Sequence, residues 1–156
     1  MYQRPSRSTH GSAFIEIAIS FSVMILLAAL GLDLTLITLA MFSNDKACRD
    51  AARAAAQQTS SAAALTAAQA QLKVHATDGI FVSQPTLTSQ ASPNFVYNDY
   101  GGNPPTNQSA YVTVTTTVTI KLPAPIIFYG VSFLSSGNVV FTRRYTYPII
   151  REKFYG

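Results

Sequence analysis

Hydrophobic and polar positions divide this chain into stretches of distinct period. From Ile17 to Phe42 run 26 residues whose only charge is Asp33, and about 20 apolar residues suffice for a helix to cross a bilayer. Apolar character begins at Ala13, Phe14 and Ile15, and no proline interrupts the chain between Ser6 and Gln84. Gly31 is the only glycine between Gly11 and Gly79, a point where a helix loosens by about 1 kcal/mol relative to alanine. Past Phe42 the stretch 44–58 reads NDKACRDAARAAAQQ. There Asp45 and Arg49, and Lys46 and Asp50, stand four apart for mutual support. Ala47, Ala51, Ala54 and Ala55 make a narrow face for close packing. One helix over 12–58 would extend about 70 Å, roughly half of it beyond the bilayer.

A second helix is predicted over Ser61–Ala76, with Leu65, Ala68, Leu72 and Ala76 on one face. Ser60 or Ser61 caps its start and Asp78-Gly79 stops it. Thr59, Ser60 and Ser61 lower helix propensity enough for a turn, so the pattern leaves open whether this helix continues the first or folds back. Lys73 and His75 sit near its C-terminus, where the dipole favours cations, and His75 reads as a solvated helix end. Residues 83–110 are rich in Ser, Thr, Asn, Gln, Pro and Gly and read as one long surface loop carrying Tyr97 and Tyr100.

Tyr111 to Leu122 is the clearest strand. Val112, Val114, Thr116, Val118, Ile120 and Leu122 fall on one side, with Tyr111, Lys121 and four threonines on the other, the alternation of a half-buried antiparallel strand. Pro123 and Pro125 end it, and the apolar run Ile126–Leu134 reads equally as short helix, loop or buried strand. Ser135–Asn138 is a turn signal, and Val139–Ile150 reads as a strand pairing back, with Pro148 at an edge or an end. Exposed, VTVTTTVTI would be prone to aggregate, so an element must cover it, and the amphipathic helix is the natural cover. The expected fold is α+β: a long N-terminal helix over 12–58 with a membrane span at 17–42, extending into a small 59–156 domain with an antiparallel sheet.

Charge sharpens this picture at the N-terminus. The chain has 11 Lys and Arg against 7 Asp and Glu, but Arg4 and Arg7 precede Gly11. Without residues 1–11 the balance is nine against seven, or +2, so much of the basicity belongs to a leader. Glu16 is a carboxylate at the start of the apolar run, costly in lipid and a functional-site candidate by that fact. If a peptidase cuts after Gly11, Ser12 gains an ammonium one helical turn from Glu16, and Glu16 can neutralise that ammonium in a neighbouring subunit. Asp33, about 25 Å further along the helix, reads as an interfacial acid reaching water, with contact to a partner helix as the sharper alternative. Arg4, Arg7 and His10 before the span hold the N-terminus in the cytoplasm. A secretory signal is disfavoured, because the apolar core is too long and no Ala-x-Ala site closes it.

Other chemistry finds little support. Cys48, a single cysteine, excludes an intrachain disulfide and reads as a small packing residue, with an intermolecular bridge as the lesser alternative. No phosphate loop, nucleophile triad or metal-ligand spacing occurs, so neither an enzyme nor a cofactor or metal site is expected. Arg143 and Arg144 fall on opposite faces of their strand and form no basic stripe, which argues against nucleic acid. Asn107-Gln108-Ser109 fits a glycosylation sequon and carries little weight.

Taken in order, the segment GSAFIEIA from Gly11 to Ala18, the apolar run closing in Gly31-Leu-Asp33, and the segment ACRDAAR from Ala47 to Arg53 resemble the TadE-like family, minor pilins or pseudopilins of the tight-adherence (Tad) type IV pilus. The likeness covers residues 4–57. The chain departs from the family pattern at His10, where Arg is usual, and at Ser22, where Pro is frequent. The resemblance implies a prepilin leader at 1–11, cleaved between Gly11 and Ser12 by a prepilin peptidase, with Glu16 acting in assembly. It implies residence in the inner membrane beside lipid, an extracytoplasmic C-terminal domain, and partners among other pilins, pseudopilins and the inner-membrane assembly platform. Small Ala28, Ala29 and Gly31 would permit close helix packing. The competing reading is an uncleaved single-pass anchor whose domain binds an envelope partner.

Overall fold

The computed structural model describes residues 10–123, 127–128, 131–132 and 138–149. Arg4 and Arg7 of the expected leader lie outside the described residues, as do Ile126, Phe133 and Leu134 of the apolar run and Ile150 at the end of the last expected strand.

Helix α1 spans His10–Ala56, 47 residues without a break. It satisfies its own backbone throughout, and the hydroxyls of Ser22, Thr35 and Thr38 donate to the carbonyls of Ala18, Gly31 and Leu34 at 2.8 Å. Such back-bonding hides polar hydrogens that lipid cannot accept. Helix α2 spans Ser61–Val74, and Ser60 caps it by accepting from the Ala63 amide. The question left open between the helices is answered by folding back. Ala64, Ala68 and Leu72 of α2 are buried in one cluster with Ala51, Ala52, Ala55 and Ala56 of α1. Alanine on both sides lets the two backbones approach closely.

Strands β1 (Thr86–Leu87), β2 (Phe95–Asn98), β3 (Tyr111–Lys121) and β6 (Asn138–Pro148) form one antiparallel sheet, and β4 (Ile127–Phe128) pairs with β5 (Val131–Ser132). β6 lies along the full length of β3, from Tyr111 opposite Pro148 to Lys121 opposite Asn138. β2 and β1 take the other edge of β3 end to end, at 111–114 and 116–117. A bridge from Val82 to Ile120 continues that edge. Residues 83–110 are therefore not one uninterrupted loop: two short edge strands, β1 and β2, punctuate it, and a 3-10 turn follows at Tyr100–Gly102. The reading as a long connection is corrected because β1 and β2 are too short to show alternation and are held by main-chain bonds to β3. The β4–β5 pairing likewise assigns the described part of the ambiguous apolar run to strand.

The inner face of the sheet packs on α1. Val112, Val114, Val118 and Ile120 are fully buried, grouped around Ala47, Cys48 and Ala51 toward one end and around Ala40 toward the other. The expectation of a half-buried strand is corrected for its middle, since Thr113 and Thr115 on the opposite face are also buried.

Candidate functional site

Two surfaces of α1 carry the candidate chemistry. The first is its N-terminal half, where Phe14 is 80% exposed and Ile15, Ile17, Phe21 and Met24 are all exposed. Mean hydropathy over its most apolar window is 2.4, with none of that window buried in the protein. The helix is long and apolar enough to cross a membrane. Glu16 is exposed on this surface, four residues after Ser12 on the same helix. Gly11 and Ser12 lie in the first turn of α1.

The second surface faces the head. Ala29, Leu30, Leu36 and Ile37 are half-buried, and Asp33, Ala40, Asn44, Cys48 and Ala51 continue the same stripe as buried residues. Asp33 is 3% exposed, and neither carboxylate oxygen has a hydrogen-bond partner among the described residues. The reading of Asp33 as an acid reaching water is corrected: the helix turns that face inward, toward the side on which the sheet packs. Ala28 and Gly31 point outward instead, and a methyl added to Gly31 would meet nothing within 4 Å. The three small residues thus divide, with Ala28 and Gly31 on the open surface and Ala29 on the Asp33 side.

Polar pins fix the head to the helix. Asn44, fully buried, accepts from the Thr116 hydroxyl at 2.7 Å and donates to the Phe141 carbonyl at 3.1 Å. The Cys48 thiol lies 3.4 Å from the carbonyls of Val114 and Arg143. Burial pushes this thiol up from its ordinary range, against a smaller pull from the Thr116 hydrogen bonds. Cys48 is therefore a packed, protonated group, as expected from its sequence context.

Along the seam between α1 and β6, Asp45 binds Arg49 at 2.8 Å and accepts from the Tyr145 hydroxyl at 2.8 Å. Arg49 donates to the same hydroxyl and Arg53 to that of Tyr147, each guanidinium lying over the ring it touches, at 5.3 and 5.5 Å from the centroids. Arg143 faces this seam, 3.9 Å from Asp45, while Arg144 lies exposed on the other face. The sequence offered a signal for the ladder, arginines four apart on a helix and tyrosines two apart on a strand, but only the register joins them. Asp50 turns to α2, where His75 Nε2 lies 3.1 Å from Oδ2, within ion-pair reach but outside hydrogen-bond geometry. His75 is thus half-buried between the helices, not a solvated end.

Among the described residues no group of three or more His, Cys, Asp or Glu is placed to hold a metal. The two tyrosines singled out in the polar stretch have local partners: Tyr97 donates to the Gln58 carbonyl at 2.7 Å and Tyr100 contacts Gln108. No family model matches the chain, and no curated protein or solved structure matches it either.

Proposed function

We propose that the chain is a pilin-like assembly subunit, held in a membrane by the first half of α1 until other subunits' helices receive it. The observation that carries this reading is the division of one unbroken helix. From Ala13 to Ala28 every side chain is exposed, nearly all of them apolar, with Glu16 the one acid among them, while the last third of the helix is welded to a head by small and polar residues. A helix serving only as the core of a soluble domain would bury its apolar side chains.

In this reading a prepilin peptidase removes residues 1–11, freeing the Ser12 amine. Glu16, one turn away, offers a charge that lipid disfavours and that an ammonium on an adjacent subunit neutralises. The attraction is strong because both groups sit where the dielectric is low. It sets the axial position of one helix against the next, and apolar contact supplies the remainder. The role is that of a minor pilin or pseudopilin in a Tad-type pilus, with the head outside the inner membrane.

Intact mass of protein from membrane and sheared-fibre fractions tests the proposal. A start at Ser12 supports it, whereas retention of the first eleven residues leaves only a tethered envelope domain. The Glu16→Ala variant is expected to be cleaved normally yet to be depleted from fibres. Gly11→Phe is expected to accumulate as precursor, and mature Gly11→Phe protein would place the cut elsewhere.

A further inference from the structure

Because α2 folds back along α1, the loop after it returns toward the part of α1 that leaves the bilayer. A hydrocarbon core of about 30 Å, entered near Ile17, is crossed by about 20 helical residues, and the headgroup layer takes up the next 5 Å or more. Leu36, Leu39 and Ser43 therefore stand at the outer boundary. These same residues form a pocket of about 300 Å³ with Ala76, Thr77, Asp78 and Val82 of the returning loop. The loop lies at the height of the headgroups.

Its side chains suit that place. Ile80 is 68% exposed and Phe81 38% exposed, large apolar groups at a tip that water alone does not favour. The tip is built to present them. Gly79 turns the chain with φ +68, and the Asp78 carboxylate accepts the amides of Val82 at 2.9 Å and Phe81 at 3.3 Å. Val82 is anchored in the core beside Ala40 and Ile120, and Lys121 donates its amide to the Phe81 carbonyl at 2.7 Å. A hydrogen-bonded turn thus holds two apolar side chains outward next to a lysine, and beside Leu39, which is also exposed on α1.

We infer that the 78–82 turn is a second membrane contact, with Ile80 and Phe81 seated at the boundary between phospholipid headgroups and acyl chains. The argument for lipid as occupant is continuity: the turn abuts the same helix, at the same level, whose apolar surface enters the bilayer. Lys121 and Asp78 offset each other, so a zwitterionic surface suffices. The inference rests on α1 spanning a bilayer but not on cleavage or fibre formation. Two attachment points instead of one fix the tilt of the head, and with it the direction in which the Ala28 and Gly31 surface faces along the membrane.

The chain contains no tryptophan, so a single introduced indole reports its own depth. Full-length Ile80→Trp, Phe81→Trp, Phe21→Trp and Gln57→Trp variants would be placed in phosphatidylcholine vesicles carrying a quencher either near the headgroup or deep in the acyl chains. Ile80→Trp and Phe81→Trp are expected to show blue-shifted emission, quenched more by the shallow label. Phe21→Trp should be quenched more by the deep label, and Gln57→Trp by neither. If Phe21→Trp is quenched while both loop variants behave like Gln57→Trp, the turn does not touch lipid and the inference is overturned alone. An unquenched Phe21→Trp would overturn the membrane reading of α1 as well. Emission from the loop variants that follows protein density and ignores the lipid label would assign the turn to another copy of the chain, again overturning the inference.

Discussion

At the scale of single residues, the join between helix and sheet is concentrated in Asn44. Its amide satisfies a hydroxyl and a carbonyl from two different strands while itself fully buried. Asn44→Ala removes the carbonyl oxygen to which the buried Thr116 hydroxyl donates, a cost of about 2 kcal/mol. Replacing both partners with apolar groups of like shape, Asn44→Leu with Thr116→Val, should recover much of that loss. Denaturant unfolding of the single and double variants checks this, and additive losses would mean that the two residues are not coupled. Asn44 could not be singled out from its position next to Asp45, because its partners lie 72 and 97 residues away. Asp33 was illegible for a related reason. Inside a uniformly apolar run no change of polarity marks the phase of the helix, so the side on which Asp33 lies is decided only by the stripe that Ala40, Asn44 and Cys48 form against the sheet.

At the scale of elements, long periods were legible and short ones were not. The unbroken helix and the twelve-residue alternation beginning at Tyr111 repeat often enough to be read from the chain, and β3 ends one residue from the expected boundary. β1 has two residues and β2 four, too few to distinguish from polar loop, and their pairing is owed to β3. The 78–82 turn lies between these cases: Asp78-Gly79 announced a stop, but not that the carboxylate would grip the amides beyond it. Those amides, that of Val82 foremost, hold the Asp78 carboxyl below its ordinary value. A depressed value in the folded state means that the grip is in place above the ordinary carboxylate range and is lost as pH falls through the lowered value. Protection of the Phe81 and Val82 amides against exchange, corrected for intrinsic rates, should therefore decline on acidification. Asp78→Asn should lack that decline, and a decline of equal size in the variant would assign the effect to another group.

At the scale of the whole molecule, the proposed function asks one helix to serve two incompatible solvents, with a surface that suits lipid before it meets protein. The Gly31 surface separates these demands. Among the described residues a Cβ at Gly31 meets nothing within 4 Å, so Gly31→Leu should leave the head as stable as before, and its gain in helix propensity of up to about 1 kcal/mol favours α1. In lipid the added leucine is welcome. Only against a second helix does it hold the backbones apart, because close approach there depends on small side chains. The variant is accordingly expected to reach the membrane, to be processed to the same mass as the parent chain, and to unfold at the same temperature, yet to be lost from sheared fibres. Gly31→Ala should be incorporated nearly as well as the parent, a graded response to size that a general defect in folding or export would not give. Full incorporation of Gly31→Leu would show that subunits meet through another face of α1, leaving the Ser12 amine and Glu16 to set axial position without this contact.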